Sequence, residues 1–397
     1  MLFRKYRLNH LFLLLILCLA PGYSAKAAFS MGFMDFTLKD PDRSNREIPI
    51  RVWYPAESQG LNALPAKGNF PVISFAHGWG MGPELYQPLV NKIVPVGYIM
   101  LMIGTETKLF IPDQAALGKD LIYALTWFRN QSNDNSSVFS GRSSGKHALM
   151  GHSMGGGASI LSGNKPELVN MLVLLAPANT EPSSLAAAPS VTAPTIIFSG
   201  SGDAVTTPSG MHQPIFQALA SSCKFFINIK GGNHCFYADD DPAACNIMEM
   251  IAGSQTQIER EDQQDITLDL MIPAMNFFLK DDQTSMEIFM DSVSRASRTE
   301  ITGGCDPQAI EKFANEASLL IFPQPADNWL RIKPHVLDQQ LTECRVFDLS
   351  GQLMLAPFEK SGRELVLQTN YLVNGLYLLE ISTKGRQAIR RLIQVDH

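Results

Sequence analysis

A serine hydroxyl becomes a useful nucleophile when a base takes its proton, and the base works best when a carboxylate fixes its tautomer. The chain offers one residue for each task, in the order Ser, Asp, His. Ser153 sits in Gly151-His152-Ser153-Met154-Gly155, between an apolar run and a stretch of small residues. That pattern predicts a sharp strand-to-helix turn that lifts the hydroxyl out of a sheet, with glycines where a side chain would clash. Asp203 closes Gly200-Ser201-Gly202-Asp203, just beyond the apolar segment 195–198. His234 closes Gly231-Gly232-Asn233-His234, just beyond the strand-like segment 224–229. Alone, Asp203 reads equally well as a turn former and His234 as a loop histidine. Their order and their shared placement at strand ends predict an acyl-transfer triad instead: Ser153 attacks, His234 is the base, and Asp203 orients it. His212 falls inside an expected helix and His152 points away from the exposed side of the turn, so neither competes as the base. Asp239, Asp240 and Asp241 read as a solvated loop rather than a cation site. No C-x-x-C or H-E-x-x-H spacing occurs, and neither a metal nor a cofactor is expected.

Acyl transfer also needs two fixed N–H donors aimed at the oxygen of the tetrahedral intermediate. The backbone of Met154, directly after the nucleophile, is one candidate. The loop His77-Gly78-Trp79-Gly80, after the apolar run 71–76, supplies the other, assigned to the backbone of Trp79. The side chains of Trp79, Met154, Phe236 and Tyr237 are expected to wall a groove suited to hydrophobic esters. Residues 176–194, the connection where a lid would be inserted, are few and rich in Ala, Pro and Ser. An open groove is therefore expected.

The elements that must position these residues alternate. Segments 33–38 and 47–54 alternate apolar and polar residues and predict antiparallel strands. Continuous apolar runs at 71–76, 98–103, 146–150, 171–175, 195–198 and 224–229 predict buried strands. Helices are expected at 83–96, 113–130, after Ser153, at 209–220 and at 265–279, which gives a mostly parallel sheet covered on both faces. This α/β unit is expected to span 28–281. Residues 282–317 read as its tail and a linker. From 318 to 397 short strand-like runs separated by turn residues predict a small β-sandwich.

At 397 residues, 45% of them hydrophobic, the chain can bury two cores, and a net charge of −6 gives no reason to expect a nucleic-acid partner. Residues 1–27 carry Arg4, Lys5 and Arg7 before an apolar run and an Ala25-Lys26-Ala27 cleavage pattern, which predicts a secretory signal peptide. Cys18 follows Leu17, where a lipoprotein signal would want a small residue, so a lipid anchor is set aside. No later stretch is long and apolar enough to cross a bilayer as a helix. Export permits disulfides, and Cys235 with Cys245, flanking one polar loop, are the best candidate pair among the five cysteines that remain.

With these residues in view, 33–280 resembles the α/β-hydrolase superfamily, and within it the secreted polyester hydrolase, cutinase and dienelactone hydrolase-like group. The resemblance rests on Phe75-Ala76-His77-Gly78-Trp79, on Gly151 to Gly157, on Ile197 to Asp203 with Thr207-Pro208, and on Gly231 to His234. It implies a secreted serine esterase with Trp79 as the aromatic beside the oxyanion hole. Two departures stand out: Ala178 follows Ala176-Pro177 where polyester hydrolases carry a Trp, and Gly200 occupies the position of an active-site cysteine. The opening Arg46 to Pro55 is similar to platelet-activating-factor acetylhydrolase relatives, which cleave short acyl esters. A short-acyl or lipase-like esterase is thus the alternative, and a silent adhesin that keeps the fold is the rival from another class. The last eighty residues resemble the C-terminal sorting domain of type IX secretion, through Phe322 to Ala326, Val346 to Gly351, Asn374 to Tyr377 and Arg390 to Gln394. That implies export through the periplasm of a Gram-negative bacterium, with the secretion machinery as partner of 318–397. A carbohydrate-binding sandwich is the alternative for this part.

Overall fold

The computed structural model describes residues 28–240, 245–306, 319–322, 325–334, 341–348, 351–362, 364–383 and 389–397. The expected signal peptide, Cys18, Asp241, the last third of the expected tail and linker, and parts of the Phe322 to Ala326 and Val346 to Gly351 motifs lie outside the described residues.

The chain opens with the antiparallel strands β1 (Ser30–Asp40) and β2 (Arg46–Ala56) and the short β3 (Gly60–Leu61). Then follow β4 (Phe70–Ala76), α1 (Gln87–Ile93), β5 (Ile99–Ile103), α2 (Gln114–Asn133), β6 (Ser143–His152), α3 (Met154–Ser162) and β7 (Met171–Leu175). The one-turn α4 (Ser184–Ala187), β8 (Thr195–Gly200), α5 (Gln213–Ala218), β9 (Cys223–Ile229), α6 (Cys245–Ala252), α7 (Arg260–Lys280), α8 (Gln283–Arg295) and β10 (Thr299–Cys305) complete the unit. Strand order in the ten-stranded sheet is β10-β9-β8-β7-β6-β4-β5-β2-β1-β3. From β9 to β5 all neighbours are parallel. This is the α/β-hydrolase architecture. The parallel strands are apolar throughout because both faces are covered: β4, β5 and β7 are buried at every position. One apolar cluster, with Phe75, Tyr86 and Met150, fills one side of the sheet, and another, with Leu101, Leu121 and Leu149, fills the other.

The sheet continues past the expected boundary at Asp281. Helix α8 buries Phe289 against Phe225, and β10 pairs antiparallel with β9 along seven residues. Cys305 is disulfide-bonded to Cys223 across that pair. An edge strand with one face in solvent lacks the apolar run that marks a central strand, which is why Thr299 to Cys305 reads as tail in the sequence.

The C-terminal segment comprises β11 (Leu319–Phe322), β12 (Trp329–Pro334), β13 (Leu341–Phe347), β14 (Leu353–Met354), β15 (Phe358–Ser361), β16 (Glu364–Gln368), β17 (Gly375–Thr383) and β18 (Ile389–Val395). They form two four-stranded antiparallel sheets around Leu330, Val346, Leu367, Leu379 and Ile393, an all-β sandwich. Cys344 is free and buried in it, and burial pushes its thiol up to about 12.

Candidate active site

The chain leaves β4 toward β5 on one side and β6 toward β7, β8 and β9 on the other. The crevice between β4 and β6 is thus the point where the winding direction reverses, the usual place for a site in an open α/β sheet. Ala76 pairs with Gly151, so His77-Gly78-Trp79 leaves the sheet beside His152-Ser153.

Ser153 holds φ 54° and ψ −117° between β6 and α3, a strained conformation for a residue with a side chain. Its N–H donates to Leu175 O at 2.8 Å, and its carbonyl accepts from Gly157 N and Ala178 N, so the turn is fixed on both sides. A Cβ on Gly151 would strike the backbone of Gly155, and one on Gly155 would strike the Ala76 carbonyl. The two glycines are steric necessities of the turn.

The three residues predicted to act together are brought together. His234 Nε2 lies 3.0 Å from Ser153 Oγ, and His234 Nδ1 lies 2.8 Å from Asp203 Oδ2. The carboxylate only accepts, so Nδ1–H donates to it and Nε2 faces the serine hydroxyl as acceptor. Asp203 Oδ1 accepts from the N–H groups of Val205 and Thr206, each at 2.8 Å. Burial alone would raise the Asp203 carboxyl. The charge and hydrogen bond of His234, with His212 and the Thr206 N–H, outweigh burial and hold the group below the usual carboxylate range.

His212 does lie in a helical stretch, as expected, but it also reaches the site. It ends a π-turn, Pro208–His212, fully buried, with Nε2 at 2.9 Å from Thr206 Oγ1 and 3.9 Å from Asp203 Oδ2. Its Nδ1 meets Ser199 Oγ at 2.8 Å. With Ser199 donating to Nδ1, Nε2–H donates to Thr206 Oγ1, whose single proton reaches Asp203 Oδ2 at 3.0 Å. Burial pushes His212 down to about 4, so it stays neutral in this relay. Thr206 and His212 carried no sequence signal as site residues, because no motif spacing marks a side chain that reaches a strand end from a neighbouring turn.

His152 does turn away from the exposed side, and its ring has a definite role there. Nε2–H donates to the His234 carbonyl at 2.9 Å, and Nδ1 accepts from Tyr86 Oη at 2.8 Å. Tyr86 Oη in turn accepts from Gly78 N–H at 2.9 Å. The loop His77 to Gly80 is thereby linked through Tyr86 and His152 to the histidine loop. Burial, reinforced by the His234 charge, depresses His152 well below the ordinary histidine range and keeps Nδ1 an acceptor.

The histidine loop is also held from below. Glu249 on α6 accepts from Asn233 Nδ2 and Cys235 N, while Gln263 on α7 accepts from Asn233 N and donates to Asn233 O. Cys235 is disulfide-bonded to Cys245 at the start of α6.

Trp79 follows β4 and is 39% exposed. Among the described residues, neither its N–H nor that of Met154, the first residue of α3, has an intramolecular acceptor, so both can take an oxyanion. Two of the expected groove walls are elsewhere. Tyr237 is fully buried, its ring 5.8 Å from that of His152, because the turn Cys235–Tyr237 points it into the core. The Met154 side chain is likewise buried with the apolar cluster, leaving only its backbone at the surface of the turn. Phe236 lies partly exposed under the Arg260 guanidinium, 4.5 Å from the ring centroid. Where a lid would be inserted, between β7 and β8, the chain holds only α4 and a short 3-10 turn.

Residues 54–252 match the PET hydrolase-like family, and 320–395 match the secretion system C-terminal sorting domain. The chain is similar to a bis(hydroxyethyl) terephthalate hydrolase of Streptomyces coelicolor, 24% identical over 184 residues, covering 46% of this chain and 54% of that protein. It is also similar to cutinase 1 of Thermobifida cellulosilytica and a cutinase of Thermobifida fusca. Each is 28% identical over 185 residues, which cover 46% of this chain and 64% and 56% of those proteins. The chain thus spans between half and two thirds of the length of these relatives.

Proposed function

The chain belongs to the PET hydrolase-like family, and from that premise we propose that it is a secreted serine esterase acting on hydrophobic, polyester-type esters in an open groove. The observation that carries the proposal is the unbroken line Ser153 Oγ, His234, Asp203, with contacts of 3.0 and 2.8 Å. In the proposed reaction His234 Nε2 takes the Ser153 proton as Oγ attacks the ester carbonyl. The N–H groups of Trp79 and Met154 hold the oxyanion. The imidazolium, stabilised by Asp203, then protonates the leaving alcohol, and the same steps with water release the acid and restore Ser153. The names of the relatives support an ester hydrolase, and the exposed Trp79 and the small β7–β8 connection support a groove open to polymer. The match at 320–395 supports a sorting role for the sandwich, with type IX machinery as partner and the cell surface or medium as destination.

The test is a chain-length series of p-nitrophenyl esters and an insoluble aromatic polyester, run on wild type and Ser153→Ala. Turnover lost in the variant and polyester products from wild type would support the proposal. Full activity in Ser153→Ala would overturn the triad, and turnover confined to acetyl and butyryl esters would move the substrate to short acyl groups.

A further inference from the structure

Two groups of apolar side chains stand in solvent where the fold gives them no protein to cover. The loop between β5 and α2 presents Leu109, Phe110 and Ile111 in succession, 51%, 84% and 96% exposed. Its ends are tied down rather than loose. Arg46 bridges Glu106 and Asp120, Glu106 Oε2 accepts from Asp113 N, and His77, the residue before Gly78-Trp79, meets the Thr105 carbonyl at 2.7 Å. Ile111 has φ +49°, which a β-branched residue adopts only under constraint. The second group lies on α6, which is amphipathic in the inverted sense. Its polar Glu249 and its Cys245 face inward on the histidine loop, while Ile247, Met250 and Ile251 face water, at 43%, 74% and 77% exposure.

Both groups hang from the carboxyl edge of the parallel strands, the edge that carries Ser153. One follows β5, two strands from β6; the other follows β9, three strands from β6 on the opposite side. At ~4.8 Å per strand they flank the nucleophile across about 24 Å, with exposed Trp79 between them. An apolar pair so placed and so firmly held points outward to what the site must meet.

We propose that these two patches adsorb the enzyme onto the surface of an uncharged, water-insoluble polyester, so that Ser153 faces the solid. This rests on the polyester reading of the same site. The charge around the patches selects the occupant: among the described residues it is mixed and carries no basic cluster, with Lys108 beside Asp113 at one patch, Glu106 paired with Arg46 and Asp240 with Arg260, and −6 over the whole chain, whereas an anionic bilayer is captured by basic clusters. An uncharged polymer asks for apolar area alone.

The test compares the full chain with Phe110→Ser/Ile111→Ser and Met250→Ser/Ile251→Ser. Adsorption is measured by depletion on amorphous aromatic polyester particles in a Ser153→Ala background, turnover on particles and on soluble p-nitrophenyl butyrate in the active background. The expected result is adsorption and particle turnover down about tenfold in each double variant, with soluble kcat/KM within twofold. Unchanged adsorption would overturn the inference, as would equal losses on both substrates. So would binding to lipid vesicles that the substitutions abolish, or a wild-type dimer that they dissociate. If wild type turns over no ester at all, the underlying esterase reading fails, an outcome distinct from these.

Discussion

Tyr86→Phe removes one oxygen from the core and with it the link between the loop His77 to Gly80 and the histidine loop. Tyr86 is fully buried, and phenylalanine keeps its ring and its packing on Phe75 at 4.6 Å. What is lost is the acceptor of Gly78 N–H at 2.9 Å and the donor to His152 Nδ1 at 2.8 Å. Each orphaned buried group costs ~1–3 kcal/mol, so the variant should lose about 2–6 kcal/mol of stability, or roughly 4–24 °C in Tm for a unit of this size. The catalytic effect comes from Gly78 preceding Trp79, whose N–H is the proposed oxyanion donor. Losing such a donor outright costs about 10²–10³ in kcat, so a donor set loose but not removed should cost ~10–100-fold, in kcat rather than KM. The assay is kcat and KM on p-nitrophenyl butyrate at a temperature well below the variant's Tm, beside a thermal melt. A melt shifted as expected with kcat unchanged would refute the reasoning. Tyr86 would then hold the core together and nothing more.

Other perturbations test other parts of the fold. His212 is held at about 4 against an ordinary 6.5, so it stays neutral in the folded state while the unfolded chain takes up a proton. Stability is therefore full above 6.5 and falls as pH drops toward 4, by about 3 kcal/mol. In His212→Asn that share of the acid loss should vanish from denaturant melts; parallel curves for the two proteins would refute the assignment. A chain ending at Asp281 should fail to fold, having lost β10, Phe289 and the Cys223–Cys305 bond, whereas one ending at Asp306 should keep wild-type ester turnover. A folded, active 28–281 fragment would show that β10 is dispensable. Cys245→Ser opens the ten-residue Cys235–Cys245 loop and should lower stability by roughly 2–3 kcal/mol in denaturant melts, whereas reduction of wild type, which also opens Cys223–Cys305, should cost more than that; an unchanged melt in Cys245→Ser would refute the assignment.

The parts of the site legible in the sequence are those where backbone sterics constrain residue type. Gly151 and Gly155 have no room for a Cβ, and Asp203 and His234 sit in Gly-rich turns because their loops leave buried strands abruptly. The parallel strands were readable because burial on both faces leaves an unbroken apolar run. Edge strand β10 was not, since one face meets water and Gly303, at φ +102°, is there to let the Lys224 carbonyl approach. Side-chain direction was the least legible feature. Periodicity marks His212 and Tyr237 as belonging to turns and helices without saying which strand end the ring will meet.

The supports found around the triad explain why its residues can be so few. Ser153 is strained, and a strained turn persists only if its surroundings overdetermine it. Here the strand ends of β4, β6, β8 and β9 are joined by polar contacts that leave Ser153 itself untouched: Gly78 to Tyr86 to His152 to the His234 carbonyl, and Ser199 to His212 to Thr206 to Asp203. The first chain fixes the loop of Gly78 and Trp79 against His234, the proposed base, and the second fixes Asp203 against its own strand. Neither chain touches Ser153, so the hydroxyl keeps a single partner, His234 Nε2, among the described residues. That isolation is chemically useful. A serine held by a second acceptor would have to break that bond before attack, whereas this one is restrained through its backbone alone and leaves its proton to the base.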